Sequence, residues 1–302
     1  MRIGSLIDLN KPIDEAVEQV RGFADAGFAS AWASQIFGYD ALSLLALIGR
    51  EVPGIELGTA VVPVYPRHPQ ALAQQALTVQ AATANRLTLG IGLSHQLVVE
   101  GMWGYTYEKP ARYMREYLTA LVPMLHGEAV NVEGEVITAH SYGPLEVPGS
   151  EAPPLLVAAL GSVMLGIAGR MADGTVTWMT GVATIEHHIA PAIAQAAATA
   201  GRPPPRVVVS LPVTVTTDPE HAKERIDKAF ALYPNLPSYK AMLDKEGAER
   251  PSDIALVGTE EEVGAQLEHL AVAGSTDFVA AVVGNPEEKA RSEALLVSVA
   301  AR

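Results

Sequence analysis

Apolar residues along the chain switch repeatedly between two spacings. Short apolar runs read as buried strands: Ile3 to Ile7, Ala29 to Ser34, Ile55 to Val62, Leu87 to Ile91, Leu155 to Ala159, Thr175 to Met179, Val207 to Val215 and Phe278 to Val283. Between them apolar positions recur every three or four residues. After Pro12, one such stripe is Ile13, Ala16, Val17, Val20, Phe23 and Ala24, with Gly27 where a C-terminal cap belongs. Asp40 is placed to cap a helix over Ala41 to Arg50, and Pro69 opens a helix running to about Ala84. Met114, Tyr117, Leu118, Leu121, Val122 and Leu125 form one face of a helix over Ala111 to His126. Further helices are predicted over Ser162 to Met171, Thr184 to Ala200, Glu260 to Ala273 and from Pro286 onward. Two excursions interrupt the alternation. In 128–154, "VNVEGEVI" alternates and turns at Glu133-Gly134 as a hairpin, then gives way to a stretch rich in glycine, serine and proline. In 218–250 the pattern is helical but polar, broken at Pro234 and Pro237.

Eight strands, each followed by a helix, predict an α/β fold, a (β/α)8 TIM barrel with insertions, forming a single barrel domain over 1–302; a doubly wound open sheet is the runner-up. The chain has 302 residues, 49% of them hydrophobic, enough for a large core. Its 21 basic and 34 acidic residues leave a net charge of −13, which disfavours nucleic acid and anionic membranes as partners and requires local donors for any anionic ligand. The absence of cysteine excludes disulfides, thiolate catalysis and cysteine-bound metals. The start, MRIGSLID, lacks a basic n-region, and no apolar run reaches the ~18 residues of a membrane helix. A cytoplasmic protein acting on a small molecule is the expectation.

In such a barrel, ligands meet the C-terminal strand ends. After the fourth strand comes "LTLGIGLSHQ", Leu87 to Gln96. It misses the dinucleotide fingerprint because His95 stands at the third glycine position, and misses the nucleophile elbow because Gln96 stands at the second. The fifth strand ends in Ala158, Ala159, Leu160 and Gly161, then Ser162 opens a helix. Free N–H groups at a helix start suit a phosphate; the plain alternative is a tight turn. The third strand, "LGTAVVPVYPRHP", carries Gly58 and Ala60, which leave room for a flat ligand, with Arg67 and His68 at the same rim. His95 reads first as a packing or hydrogen-bonding residue. His187 and His188 are adjacent on a helix, about 100° apart, a poor geometry for sharing a metal. Asp8 and Asp40 make no evident carboxylate pair, which argues against glycosidase chemistry. A mouth of small, apolar and aromatic groups suits an organic cofactor that does the chemistry.

The stretches "WASQIFGYD", "LGTAVVPVYPRHP", "ANRLTLGIGLSH", "PARYMREYL" and "VAALGSVMLGIAGRMADGTVTWM" resemble, in order and spacing, luciferase-like oxidoreductases of the branch that uses coenzyme F420. The resemblance implies an eight-fold barrel, with F420 as cofactor and FMN as the alternative. It also implies a bulge with a cis non-proline bond at Ala60-Val61 behind the cofactor's central ring. Cofactor contacts then fall on Gln35, Gly58, Ala60, Val61, Val62, Gly92, Ser94, His95, Ala158, Ala159, Leu160 and Gly161. Ser162 stands where many relatives carry proline. Gln35 and Ile36 replace the ionisable pair of the F420-dependent sugar-phosphate dehydrogenases, which argues against sugar-phosphate oxidation and for a reductase. Ile36, Trp178 and Trp103 are expected to wall the substrate, with His95, Tyr65 or water supplying a proton. An FMN-dependent monooxygenase and an F420-binding protein without turnover are the rival readings. Barrels of this family often pair, so a homodimer stays open beside a monomer.

Overall fold

The computed structural model describes residues 1–301. Eight parallel strands close into a barrel: β1 (Arg2–Leu6), β2 (Ser30–Ala33), β3 (Glu56–Thr59), β4 (Leu87–Gly92), β5 (Leu155–Ala158), β6 (Gly174–Trp178), β7 (Arg206–Val215) and β8 (Asp277–Val282). Each strand pairs with the next, and β8 returns to β1 with Ile3 opposite Phe278. The outer ring is α1 (Ile13–Asp25), α2 (Ala41–Glu51), α3 (Pro69–Ala82), α4 (Pro110–Leu125), α5 (Ser162–Met171), α6 (Ala190–Thr199), α7 (Glu260–Val272) and α8 (Pro286–Ala300). The barrel predicted from the alternation is the observed fold. No helix among the described residues is long and apolar enough to cross a membrane.

Local differences have physical causes. The third predicted strand breaks after Thr59 and resumes as Val62–Pro63. The hairpin is Asn131–Glu133 against Thr138–His140, so its turn falls at 134–137 and not at Glu133-Gly134. The Glu116 carboxylate of α4 decides this, accepting the backbone N–H groups of Val136 at 2.9 Å and Ile137 at 3.0 Å. The helix predicted over Thr184 to Ala200 starts at Val182 and contains a π-helical turn, Ile185–Ile189. A short helix, Gln96–Gly101, and a strand, Leu256–Gly258 beside β7, carried no periodic signal long enough to read.

Burial divides into two layers. Helix stripes pack on the outside of the sheet; the interior holds Trp32, Leu156, Val176, Val208 and Val279, topped by the partly buried Leu6, Ala60, Val61 and Ala158. Trp32 is fully buried and its Nε1 donates to the Ser30 hydroxyl at 2.8 Å. Its indole fits because Gly4 and Gly58 face it: a Cβ on Gly58 would lie 2.2 Å from a ring carbon. The lower end is closed by charge. Arg206 contacts Asp277 at 2.7 Å and Glu56 at 3.0 Å, Arg2 contacts Glu56 at 2.6 Å, and Thr88 donates to Glu56 at 2.8 Å. Such bottom-face networks serve stability and leave the opposite end for ligands.

The two kinds of glycine predict opposite signs. Gly58→Ala should lower unfolding stability by about 2–3 kcal/mol through overpacking against Trp32. Gly22→Ala, in α1 with nothing within 4 Å of a new Cβ, should raise it by roughly 0.5–1 kcal/mol. Urea denaturation of the two variants checks both.

Candidate active site

The upper rim is shaped where β3 leaves the ladder. Gly58 pairs with Thr88 and Val62 with Ile91, so four steps along one strand match three along the other, a β-bulge. Within it the Ala60-Val61 peptide is cis. The fully buried Thr59 hydroxyl replaces the interrupted ladder: it donates to the Gly90 carbonyl at 2.7 Å and accepts the Gly90 N–H at 2.8 Å. The bulge brings Val61 over β4. A Cβ on Gly92 would lie 2.7 Å from Val61 Cγ2 and 3.3 Å from the Ala158 Cβ. The glycines of "LTLGIGLSHQ" therefore make room for this protein's own Thr59 carbonyl and Val61 side chain. Likewise, the space at Gly58 is taken by Trp32. Ala60, Val61, Gly92 and Ala158 come together as one small-residue floor, with Val62 buried behind it.

The remaining expected positions follow the C-terminal ends of the strands, at the same end of the barrel. Ser94 adopts a left-handed backbone (φ 62°), and His95 follows at the start of Gln96–Gly101. Burial holds the His95 imidazole below its usual pKa, so it is neutral at pH 7. Its ring lies 5.6 Å from Tyr239, which meets Tyr233 at 4.9 Å; Tyr233 meets Trp178 edge-on at 5.9 Å, and Phe230 meets Trp178 at 5.4 Å. Phe230, Tyr233 and Tyr239 come from the 218–250 excursion, whose helices are Pro219–Ala229 and Pro237–Glu246. Its polar pattern hid these aromatics from the sequence reading. Gln35 turns into the wall: its Oε1 accepts from the Ala41 N–H and from Arg67, each at 3.2 Å, beside the Arg67–Asp40 ion pair. Burial raises the Asp40 carboxyl, but hydrogen bonds from Ser43 and the Arg67 guanidinium outweigh it and hold the group below its ordinary value. On the same loop Ile36 and Phe37 are exposed. Trp103 packs partly against the core. Tyr65 is buried and stacks on Tyr113 at 4.1 Å, with no hydrogen-bond partner for its hydroxyl; burial pushes that phenol far above its usual pKa.

Helix starts sort the possible anion sites. Asp40 caps α2, His68 caps α3, Thr259 and Glu262 box α7, and Asn285 and Glu288 box α8. The Val182–Thr184 start is filled by Glu246, which accepts from Ala183 N at 3.0 Å and Thr184 N at 2.7 Å. Helix α1 follows Pro12 and carries Asp14 and Glu15 in its first turn, and α4 has Pro110 at its start. Helix α5 follows the exposed Gly161 with no side-chain cap and no acidic residue in its first turn. Leu160 precedes it, its carbonyl accepting from His188 Nε2 at 2.8 Å. His187 is exposed beside Glu186. A separate cavity of about 720 Å³ lies on the outer wall between α1 and α8. Its lining of Asp14, Glu15, Glu18 and Glu293 repels anions.

The chain belongs to the luciferase-like monooxygenase family, whose profile matches residues 1–291. It is 29% identical over 192 residues to an F420-dependent glucose-6-phosphate dehydrogenase of Rhodococcus erythropolis, covering 61% of this chain and 56% of that protein. Its fold is similar to that of a coenzyme F420-dependent tetrahydromethanopterin reductase of Methanopyrus kandleri, with a TM-score of 0.81 at 20% identity over 97% of each chain. It is also similar to the oxygenating constituent of 3,6-diketocamphane monooxygenase of Pseudomonas putida in complex with FMN. There the TM-score is 0.77 at 17% identity, over 99% of this chain and 96% of that one.

Two results are expected. Thr59→Val leaves the buried Gly90 N–H without its acceptor and removes one of the donors to the Gly90 carbonyl, and should cost about 2 kcal/mol in a denaturant melt, while Thr59→Ser costs less than half as much. For His95, the unfolded chain takes up a proton near pH 6.5 and the folded chain only at lower pH. The stability associated with neutral His95 is therefore whole above about pH 6.5 and declines below it. An NMR titration assigned by His95→Gln should give a midpoint below 6.5; a midpoint at or above that value contradicts the burial argument.

Proposed function

We propose that this protein is an oxidoreductase that binds coenzyme F420 at the upper rim and reduces a small uncharged organic acceptor there. The observation that carries the reading is the pairing of a small-residue floor with an uncapped helix start. Ala60, Val61, Gly92 and Ala158 leave a flat surface, and the start of α5 offers N–H groups with no cap. That donor set fits a phosphoryl group, which a chain of net charge −13 could not attract through its overall field. Ala159, Leu160 and Gly161 would hold the phosphate; Ala60, Val61 and Val62 would back the ring system, with Ser94 and His95 beside it. Bound there, the deazaflavin supplies a hydride carrier.

The protein's own part is alignment and exclusion of water. Trp178, Phe230, Tyr233 and Tyr239 form an aromatic wall, and the excursion bearing three of them is pinned at two points. Glu246 ties it to the β6 loop, and Arg225 contacts Glu288 of α8 at 2.6 Å. Ile36 and Phe37 extend the apolar surface on the other side. Arg67 is neutralised by Asp40 and His95 is uncharged, so the rim favours an acceptor without charge. A neutral His95 could pass its ring N–H proton to the acceptor only while taking one up from water at its other ring nitrogen, which keeps the imidazole uncharged before and after.

The FMN reading is kept by the flat floor, which does not itself distinguish two tricyclic rings. Separate titrations with F420 and FMN, followed by anaerobic mixing of the reduced F420 complex with enones and imines, decide among the readings. We expect micromolar F420 binding, weaker FMN binding, and acceptor-dependent return of oxidised F420. Tight FMN binding without F420 binding, with oxygen consumption by reduced FMN, overturns the reading in favour of a monooxygenase. F420 binding with no acceptor turned over makes the protein a cofactor binder.

A further inference from the structure

We propose that His188 is a positioning residue for the anion loop after β5: by holding the Leu160 carbonyl it orients the Gly161 N–H as a donor to a phosphoryl group. The inference rests on the proposed use of that loop by a phosphate-bearing cofactor.

The argument begins with Pro191. It has no N–H to give the His187 carbonyl one turn earlier, and its ring crowds that carbonyl. The helix accommodates this with the π-helical turn Ile185–Ile189. Ile185, Ile189 and Ile193 are fully buried and lock the rotation of the whole run. His188 lies beside that buried stripe, partly exposed, and meets Leu160 across the gap between the β5 and β6 loops at 2.8 Å. A carbonyl can only accept, so His188 Nε2 carries the proton.

A trans peptide is planar, and its C=O and N–H point in opposite directions. The cis bond of this chain is Ala60-Val61, so Leu160-Gly161 is trans. With the Leu160 oxygen drawn to His188, the Gly161 N–H points away from the 182–199 run, on the exposed side with Ser162 and Val163. Among the described residues it has no hydrogen-bond partner. The same interaction keeps the negative end of the Leu160 carbonyl turned from an approaching anion. Without the His188 donor, that peptide is free to rotate and present its oxygen instead.

The test compares ligand pairs that differ by the phosphoryl-bearing tail: F420 against the deazaflavin chromophore that lacks it, and FMN against riboflavin, by fluorescence or calorimetric titration. His188→Leu should weaken F420 by about tenfold or more and leave the phosphate-free deazaflavin unchanged. His188→Gln, which can return an N–H to the Leu160 oxygen, should recover most of the loss. Gly161→Pro removes the N–H itself at a backbone angle proline accepts (φ −80°) and should reproduce the selective loss, which keeps the test decisive if His188→Leu does not fold. Equal losses for both members of a pair, or no loss in either, overturn the role of His188. A wild-type protein that binds F420 and the phosphate-free ring equally overturns the loop as a phosphate site. A wild type that binds none of the four overturns the cofactor reading itself.

Discussion

A strand that leaves a parallel barrel before its end exposes backbone groups on its neighbour, in the middle of a buried sheet, where unpaired groups are costly. Here the neighbour is Gly90, and the Thr59 hydroxyl satisfies both of its groups at once, as donor and as acceptor. That one side chain lets β3 lift away, take an extra residue, pass through the cis Ala60-Val61 peptide and rejoin β4 at Val62. Everything at the rim follows from the lift. Val61 moves over β4, Gly92 must have no side chain beneath it, and Ala158 completes the floor from the next strand.

Below that floor the barrel is filled by Trp32, so the rim is a shelf and not the mouth of a channel. A shelf binds by its edges. One edge is the aromatic wall of Trp178, Phe230, Tyr233 and Tyr239, held down by Glu246 and Arg225. Another is the start of α5, whose N–H groups stay open while Glu246 fills the neighbouring helix start. For the proposed carrier, the division would give each end its own kind of surface: apolar and flat for a ring, main-chain donors for a phosphate. Under the proposed function, short-range donors of this kind would let a strongly acidic chain hold a polyanionic cofactor where its overall field repels.

Much of the barrel was legible because burial on both faces makes parallel strands continuous apolar runs, and Pro69, Asp40 and Pro286 mark helix starts by local chemistry. The bulge was legible only through family resemblance, since nothing in "LGTAVVPVYPRHP" states that Thr59 will bridge to Gly90. Glycine was the least transparent signal. Gly58 and Gly92 suggested room for a ligand, but a missing Cβ does not say who occupies the space, and Trp32 and Val61 do so. Gln35 read as a ligand contact, and what the sequence could not show is that its carbonyl is engaged by Arg67 and the start of α2. Glu246, Tyr233 and Tyr239 were missed because their partners are distant in sequence. His188 was weighed against a metal and set aside; its contact with Leu160 depends on a π-helical turn that periodicity cannot reveal.

The most direct measurement is a crystal structure of the protein soaked with F420. The account predicts the ring system lying on Ala60, Val61, Gly92 and Ala158, with phosphate oxygens within hydrogen-bond distance of the Gly161, Ser162 and Val163 N–H groups. Cofactor density in the α1–α8 cavity, or at the rim with its phosphate away from α5, would contradict it.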